Sequence, residues 1–190
     1  MLVAVFASAQ IAGQVGRAAA LASFARAPTA EDRALWSDIR IREYDASVGI
    51  DMGEPLAVLR IPSVNIEVPI YAGTSELNLN RGAGLIEGMG TPDGGGNIGI
   101  AGHRDGFFRA LKDVKPGDRI ELQTRTRIHA YRVTEIEIVD SSDPSLLVDS
   151  LDPVVTLVTC YPFYYVGHAP QRFLVRGTYE WKSPPSPGHA

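Results

Sequence analysis

One thiol, Cys160, stands among 190 residues. A lone cysteine makes neither an internal disulfide nor a Cys-based zinc cluster, so it is either an inert buried thiol or a nucleophile. It ends the run Pro153-Val-Val-Thr-Leu-Val-Thr-Cys160, and Tyr161-Pro162 follows at once. A strand end facing a loop is where a rigid scaffold presents a reactive group, whereas a structural cysteine usually sits mid-element among apolar neighbours. A cysteine nucleophile needs a group to manage its proton and donors for the oxyanion that forms when it attacks a carbonyl.

Four histidines are available for the proton. His189 lies in a Ser/Pro-rich tail and reads as solvated. His129 falls in a long strand, in polar phase between Ile128 and Ala130, and reads as surface. His168 follows Gly167 in an aromatic loop eight residues after the cysteine, geometrically open but on a loose segment. His103 differs: it ends the run Asn97-Ile-Gly-Ile-Ala-Gly102 and is followed by Arg104-Asp105-Gly106. A strand ending in Gly-His presents an imidazole much as Val-Thr-Cys presents a thiol. The alternative is a histidine satisfied by local turn hydrogen bonds. For the oxyanion, Arg172 opens a strand twelve residues after Cys160, and a strand–loop–strand path brings it beside the thiol. Arg176 shares its phase, but at about 3.3 Å per residue it lies roughly 13 Å away, too far to serve the same carbonyl. For either arginine the alternative role is a surface ion pair.

The elements that must position these groups are mostly strands. Ala57 to Ile61, Val64 to Tyr71, Leu85-Ile86, Asn97 to Gly102, Arg119 to Gln123, Ile128 to Val139, Val154 to Cys160 and Arg172 to Tyr179 are short β-rich runs. Pro69 places the second of them near a sheet edge. Lys115-Pro116-Gly117-Asp118 is a turn by residue chemistry. Helix is confined to a turn or two at Phe107 to Val114 and Pro144 to Val148. Many short strands punctuated by 19 glycines and 13 prolines predict an all-β closed or nearly closed barrel, or a sandwich.

The net charge of −4 argues against nucleic acid as a partner, and a chain 45% hydrophobic and 21% charged is neither wholly disordered nor a multi-span membrane protein. Residues 1–16 carry no charged side chain. They read as an N-terminal anchor or its remnant, spanning residues 1–25 at most, although they are short for a membrane helix and lack a basic flank; an amphipathic or buried helix is the alternative. Residues 26–54 read as a stem and linker, with no site of its own. Within it Thr29-x-x-Asp32 forms a capping box, weakened by Asp in place of Glu, ahead of a helix through Leu35, Trp36 and Ile39. The catalytic unit is expected over residues 55–180, and residues 181–190 form a Pro/Ser-rich tail.

Ala101-Gly-His103, Thr156-Leu-Val-Thr-Cys160 and Gln171-Arg172-Phe-Leu-Val, in that order, strongly resemble the signature of the sortases, bacterial cysteine transpeptidases. Ala101 to Asp113 and the Lys-Pro-Gly-Asp turn are most similar to class D members. The resemblance covers about residues 55–180. It implies a closed eight-stranded β-barrel, a single N-terminal membrane anchor and an extracytoplasmic active site. The substrates implied are surface proteins with a C-terminal Leu-Pro-x-Thr-Gly type signal, cut between Thr and Gly and passed to an amine acceptor such as a cell-wall peptide or a pilin-type lysine. By carry-over Cys160 is the nucleophile, His103 the acid/base and Arg172 the oxyanion donor. Ala101 and Val158 match positions lining the groove for the Leu-Pro part of the signal, with Thr159 as a further contact. No metal or cofactor is called for: His103, Asp105 and one cysteine do not make a recognisable metal-binding spacing. Two other readings stay open, a cysteine peptidase that only hydrolyses and a non-catalytic peptide-binding module of the same fold.

Overall fold

The structure is a computed structural model that describes residues 28–148, 150–164 and 169–181. The expected anchor, His168, His189 and all but the first residue of the tail lie outside the described residues. The strands are β1 (Ala57–Ile61), β2 (Ile66–Ala72), β3 (Ala83–Leu85), β4 (Asn97–Gly102), β5 (Arg119–Gln123), β6 (Ile128–Asp140), β7 (Val154–Tyr161) and β8 (Gln171–Tyr179). They close into a barrel in the order β1-β2-β3-β4-β7-β8-β6-β5, with β5 returning to β1. The barrel is mixed, because β2 with β3 and β4 with β7 run parallel while the other neighbours are antiparallel.

Each β-rich run of the sequence overlaps one strand, Leu85-Ile86 at Leu85 alone because β3 runs Ala83–Leu85, and alternation explains why. Leu59, Ile70, Ile98, Ile100, Leu157 and Val175 are fully buried in one interior cluster, while their strand neighbours in the opposite phase point outward. Val64 departs from its expected strand: Pro62–Val64 is a 3-10 turn and Asn65 takes φ 54°, so β2 begins at Ile66. Pro69 is not on an edge strand, since β2 lies between β1 and β3. Pairing with β3 begins only at Ile70, so Pro69 occupies the stretch whose ladder runs to β1 alone. His129 is also corrected: it is 7% exposed and Ile128 is 54% exposed, the reverse of the expected phase. His129 shares the interior phase of Tyr131 and Val133, and its Nε2 meets Asp93 Oδ1 at 2.9 Å, which satisfies the buried ring. The Lys115–Asp118 turn forms as expected, with Gly117 at φ 94° and Asp118 N donating to Lys115 O at 3.0 Å.

The helices depart most from expectation. The Thr29 capping box closes, with Asp32 N on Thr29 Oγ1 at 3.2 Å and Thr29 N on Asp32 Oδ2 at 2.8 Å, yet helix α1 (Ala30–Arg33) lasts one turn. The chain recaps on Ser37, whose Oγ accepts from Arg40 N at 3.1 Å, and runs as α2 (Asp38–Ser47). Leu35 and Ile39 are exposed; the buried face is Trp36, Arg40, Tyr44 and Ser47. That face docks on the turn after β4 through edge-to-face contact of Trp36 with Phe107 at 4.7 Å. A third helix, α3 (Glu76–Arg81), is capped by Ser75 and has too few turns to show a periodic apolar face. Arg109–Asp113 and Pro144–Leu147 are 3-10 turns where short helix was expected.

Candidate active site

Backbone pairing brings the sequence-derived residues to one level of the barrel. In the parallel β4–β7 ladder Ala101 pairs with Val158 and Gly102 with Thr159, so the next step sets His103 alongside Cys160. In the antiparallel β7–β8 ladder Cys160 pairs directly with Arg172. Neighbouring strands lie about 4.8 Å apart, so the imidazole-bearing and guanidinium-bearing backbones flank the thiol on either side. All three belong to the outward phase, since Ile100, Leu157, Phe173 and Val175 carry the interior one. The half-buried free thiol of Cys160 therefore stands on the outer wall, with half-buried Ala101 and Val158 beside it.

Thr159 is different. It is 2% exposed, and its hydroxyl donates to Gly102 O at 2.7 Å, tying β4, which leads into His103, to β7, which carries Cys160. Gly102 itself is held free of a side chain by Phe108, whose ring atoms lie 2.7 Å from where a Cβ would stand. The turn beyond continues the tie. Gly106 N and Phe108 N both donate to His103 O, at 3.2 and 3.3 Å. Arg109 donates to Phe163 O, and its guanidinium lies 4.1 Å from the centre of the Tyr164 ring, in the segment that follows Cys160.

The surroundings of His103 favour its neutral form. Burial is the main cause that lowers its pKa below the ordinary imidazole value, the Arg40 guanidinium lowers it further, and Glu76, Asp105 and Glu43 act in the opposite sense. Its Nε2 lies 3.4 Å from Glu76 Oε2 without hydrogen-bond geometry, and makes no hydrogen bond among the described residues. A buried ring nitrogen without a fixed partner is free to exchange a proton with a reacting group.

The two arginines have separate surroundings. Arg176 pairs with Glu135 at 3.1 Å and Glu137 at 2.7 Å, the surface ion pair. Among the described residues Arg172 makes no ion pair: its Nη1 donates to Ala169 O at 3.2 Å and Gln171 O at 2.9 Å, which anchors the guanidinium at the start of β8. Residues near the site that sequence reasoning did not single out are Arg40 on α2 and Glu76 on α3. Arg40 had no signal, because its partner Asp105 is 65 positions away. Glu76 follows Ser75, a cap residue that marks a helix start but no chemistry.

Comparison with known proteins gives the family and the fold. The sortase domain family matches residues 59–180. Sortase D of Bacillus subtilis (strain 168) is 35% identical over 133 residues, covering 70% of this chain and 67% of that protein. Sortase A of Listeria monocytogenes is 33% identical over 106 residues, and the match spans 54% of this chain and 47% of that relative. Among solved structures, a Clostridium perfringens Sortase D5 transpeptidase aligns with a TM-score of 0.62 at 25% identity, over 80% of this chain and 94% of that one. Sortase C1 of Streptococcus agalactiae aligns with a TM-score of 0.61 at 32% identity, over 77% of this chain and 78% of that one. The eight-stranded mixed barrel, the family match and these relatives together establish that the chain belongs to the sortase family of cysteine transpeptidases and is class D-like.

Proposed function

We propose that the chain cleaves Leu-Pro-x-Thr-Gly type sorting signals between Thr and Gly, holds the protein as a thioester on Cys160 and transfers it to an amine. The observation that carries this reading is the common level of His103, Cys160 and Arg172 on three adjacent strand ends. Neutral His103 takes the thiol proton as Sγ bonds to the Thr carbonyl carbon, and the carbonyl electrons move to oxygen. Arg172 donates to that oxyanion. The imidazolium then gives its proton to the glycine nitrogen as the C–N bond breaks, leaving the thioester. An incoming amine attacks the thioester, His103 takes the amine proton, and Cys160 leaves as thiolate and is reprotonated. Ala101 and Val158, outward beside the thiol, line the groove for the Leu-Pro part. Thr159 supports that wall from inside through its bond to Gly102.

The organisation that goes with this reading is an anchor within residues 1–25, a stem over 26–54, the catalytic unit over 55–180 and a tail over 181–190. The site faces the extracytoplasmic side of the bacterial cytoplasmic membrane. Among the described residues no helix is long and apolar enough to cross a membrane. The partners are surface proteins bearing the signal and a cell-wall peptide or pilin-type lysine as acceptor.

The test is a panel of Leu-Pro-Xaa-Thr-Gly peptides incubated with the protein, with and without a glycine-type amine, and read by mass spectrometry. The expected outcome is an acyl adduct on Cys160, absent in Cys160→Ala, and a ligated product when amine is present. Hydrolysed peptide alone in the presence of amine would make the protein a peptidase, and peptide binding without any adduct would make it a binding module. The dependence of kcat/KM on pH is expected to be bell-shaped, with its acid limb below the ordinary imidazole range because His103 is shifted down.

A further inference from the structure

Helix α2 precedes the barrel in sequence and contributes none of the three residues above, yet its one buried charge is aimed at the turn that carries His103. Arg40 is 8% exposed. A buried guanidinium is costly unless its donors are matched, and these are matched across separate elements. Nε lies 3.3 Å from Asp105 Oδ1, two residues past the imidazole. Nη1 donates to Asn80 Oδ1 on α3, the helix that carries Glu76, and lies 2.7 Å from Glu43 Oε2 on its own helix. The methylenes pack as well: a Cβ on Gly106 would stand 3.3 Å from Arg40 Cγ and Cδ and 3.7 Å from His103 Cβ, so the aliphatic stem and the histidine share one side of the turn. Ser37 closes the clamp, its Oγ donating to Asp105 Oδ2 at 2.7 Å and its N to Asp105 O at 3.3 Å.

We propose that Arg40 is a positioning residue for His103, which makes the stem helix a working part of the catalytic unit. Arg40 acts by gripping Asp105 and Asn80 at once, so that the His103 turn and the Glu76 helix are fixed relative to each other and to Cys160. This rests on the reading of His103 as the acid/base. The charged and titratable groups around the imidazole are Arg40 and Glu43 on α2, Glu76 on α3, Arg104 and Asp105 on its own turn, Cys160 on β7 and Arg172 on β8. Two of these oppose each other: the Arg40 cation disfavours imidazolium and the Asp105 carboxylate favours it.

The experiment uses the full chain and the variants Arg40→Met, Arg40→Lys and Asp105→Asn. Steady-state transfer of a Leu-Pro-Xaa-Thr-Gly peptide is followed against pH, and the His103 ring is titrated by NMR. Arg40→Met is expected to lower kcat at its own pH optimum roughly ten- to a hundredfold, the scale of a misplaced catalytic group. KM should hold, because Arg40 is not one of the residues assigned to the groove. Its acid limb and the His103 titration move to higher pH. Asp105→Asn moves both to lower pH. Arg40→Lys restores the limb, since the charge is kept, but not kcat, since the fork is lost. A purely structural role changes the folded fraction and leaves kcat per folded molecule unaltered, so a loss of kcat at constant KM that lysine does not restore marks positioning. The proposal is overturned if Arg40→Met transfers like wild type, or if Arg40→Met and Asp105→Asn shift the limb in the same direction. Should Arg40→Met not fold, Arg40→Lys decides: a lowered kcat with the acid limb unmoved supports the proposal, and a wild-type kcat overturns it. Failure of the underlying reading looks different: Cys160→Ala or His103→Ala would then retain transfer, whatever Arg40 does.

Discussion

Arg172 and Arg176 stand on the same strand in the same phase, and their partners divide their labour. Arg176 is neutralised by two glutamates, while Arg172 lies opposite Cys160 and is braced on backbone carbonyls. Arg172→Ala is therefore expected to lower kcat by about 10²–10³, the cost of losing an oxyanion donor. Arg176→Ala removes an ion pair at the barrel surface, worth about 1 kcal/mol or less in stability, and leaves kcat within error. Peptide-transfer kinetics and urea melts on the two variants check this; equal kinetic losses would return Arg176 to candidacy. At this scale the shared level of His103, Cys160 and Arg172 was legible because each closes or opens an apolar run at a loop. The alternation rule gave no choice between the two arginines; spacing from Cys160 and the family resemblance favoured Arg172, and Glu135 and Glu137 on the paired strand occupy Arg176. His129 misled for the same reason: its phase is polar by residue type, and burial became acceptable only because Asp93, 36 positions away, meets the ring.

Helix α2 holds to the barrel by an aromatic contact and a carboxylate, and the carboxylate makes its docking sensitive to acid. Burial alone would raise the pKa of Asp105, but the Ser37 hydroxyl and the Arg40 cation outweigh it and hold the group below the usual aspartate range. A carboxylate depressed in the docked state contributes its stabilisation above its undocked value, about 4, and loses it as pH falls through the lower docked value. Trp36 reports docking, because it is 8% exposed against Phe107, whereas Trp181 is 75% exposed and can be replaced by phenylalanine. In Trp181→Phe, Trp36 fluorescence should be constant from neutrality to about pH 4 and change below it. Adding Asp105→Asn should weaken docking at neutral pH and abolish that acid step. An identical acid midpoint in the double variant would remove Asp105 from the latch. Strands of this fold are readable from period-two burial, but α2 was not. Its inward face is Arg40, Tyr44 and Ser47, preceded by Trp36 just ahead of the cap, a pattern that reads as polar until Asp105 and Phe107 are in place. Helix α3 is only six residues long, below what periodicity resolves.

The whole molecule closes by pairings that no local pattern specifies. Strand content was legible, whereas the order β1-β2-β3-β4-β7-β8-β6-β5 and the mixed direction of the ladders were not, because long-range pairing is decided by which interior faces fill one core. The site depends on that closure. His103 and Cys160 become neighbours only through the parallel β4–β7 pair, whose connection includes β5 and β6. Loss of acylation in urea is therefore expected to superimpose on loss of far-ultraviolet β signal in one transition; acylation surviving past the β transition would show a centre built more locally. A parallel crossover between the strands that bear proton carrier and sulfur has a protective side. A nascent or partly unravelled copy already owns every reactive side chain, yet has nowhere for them to meet. On the proposed reading such a chain is inert toward its neighbours, and cutting begins in the same event that completes the wall.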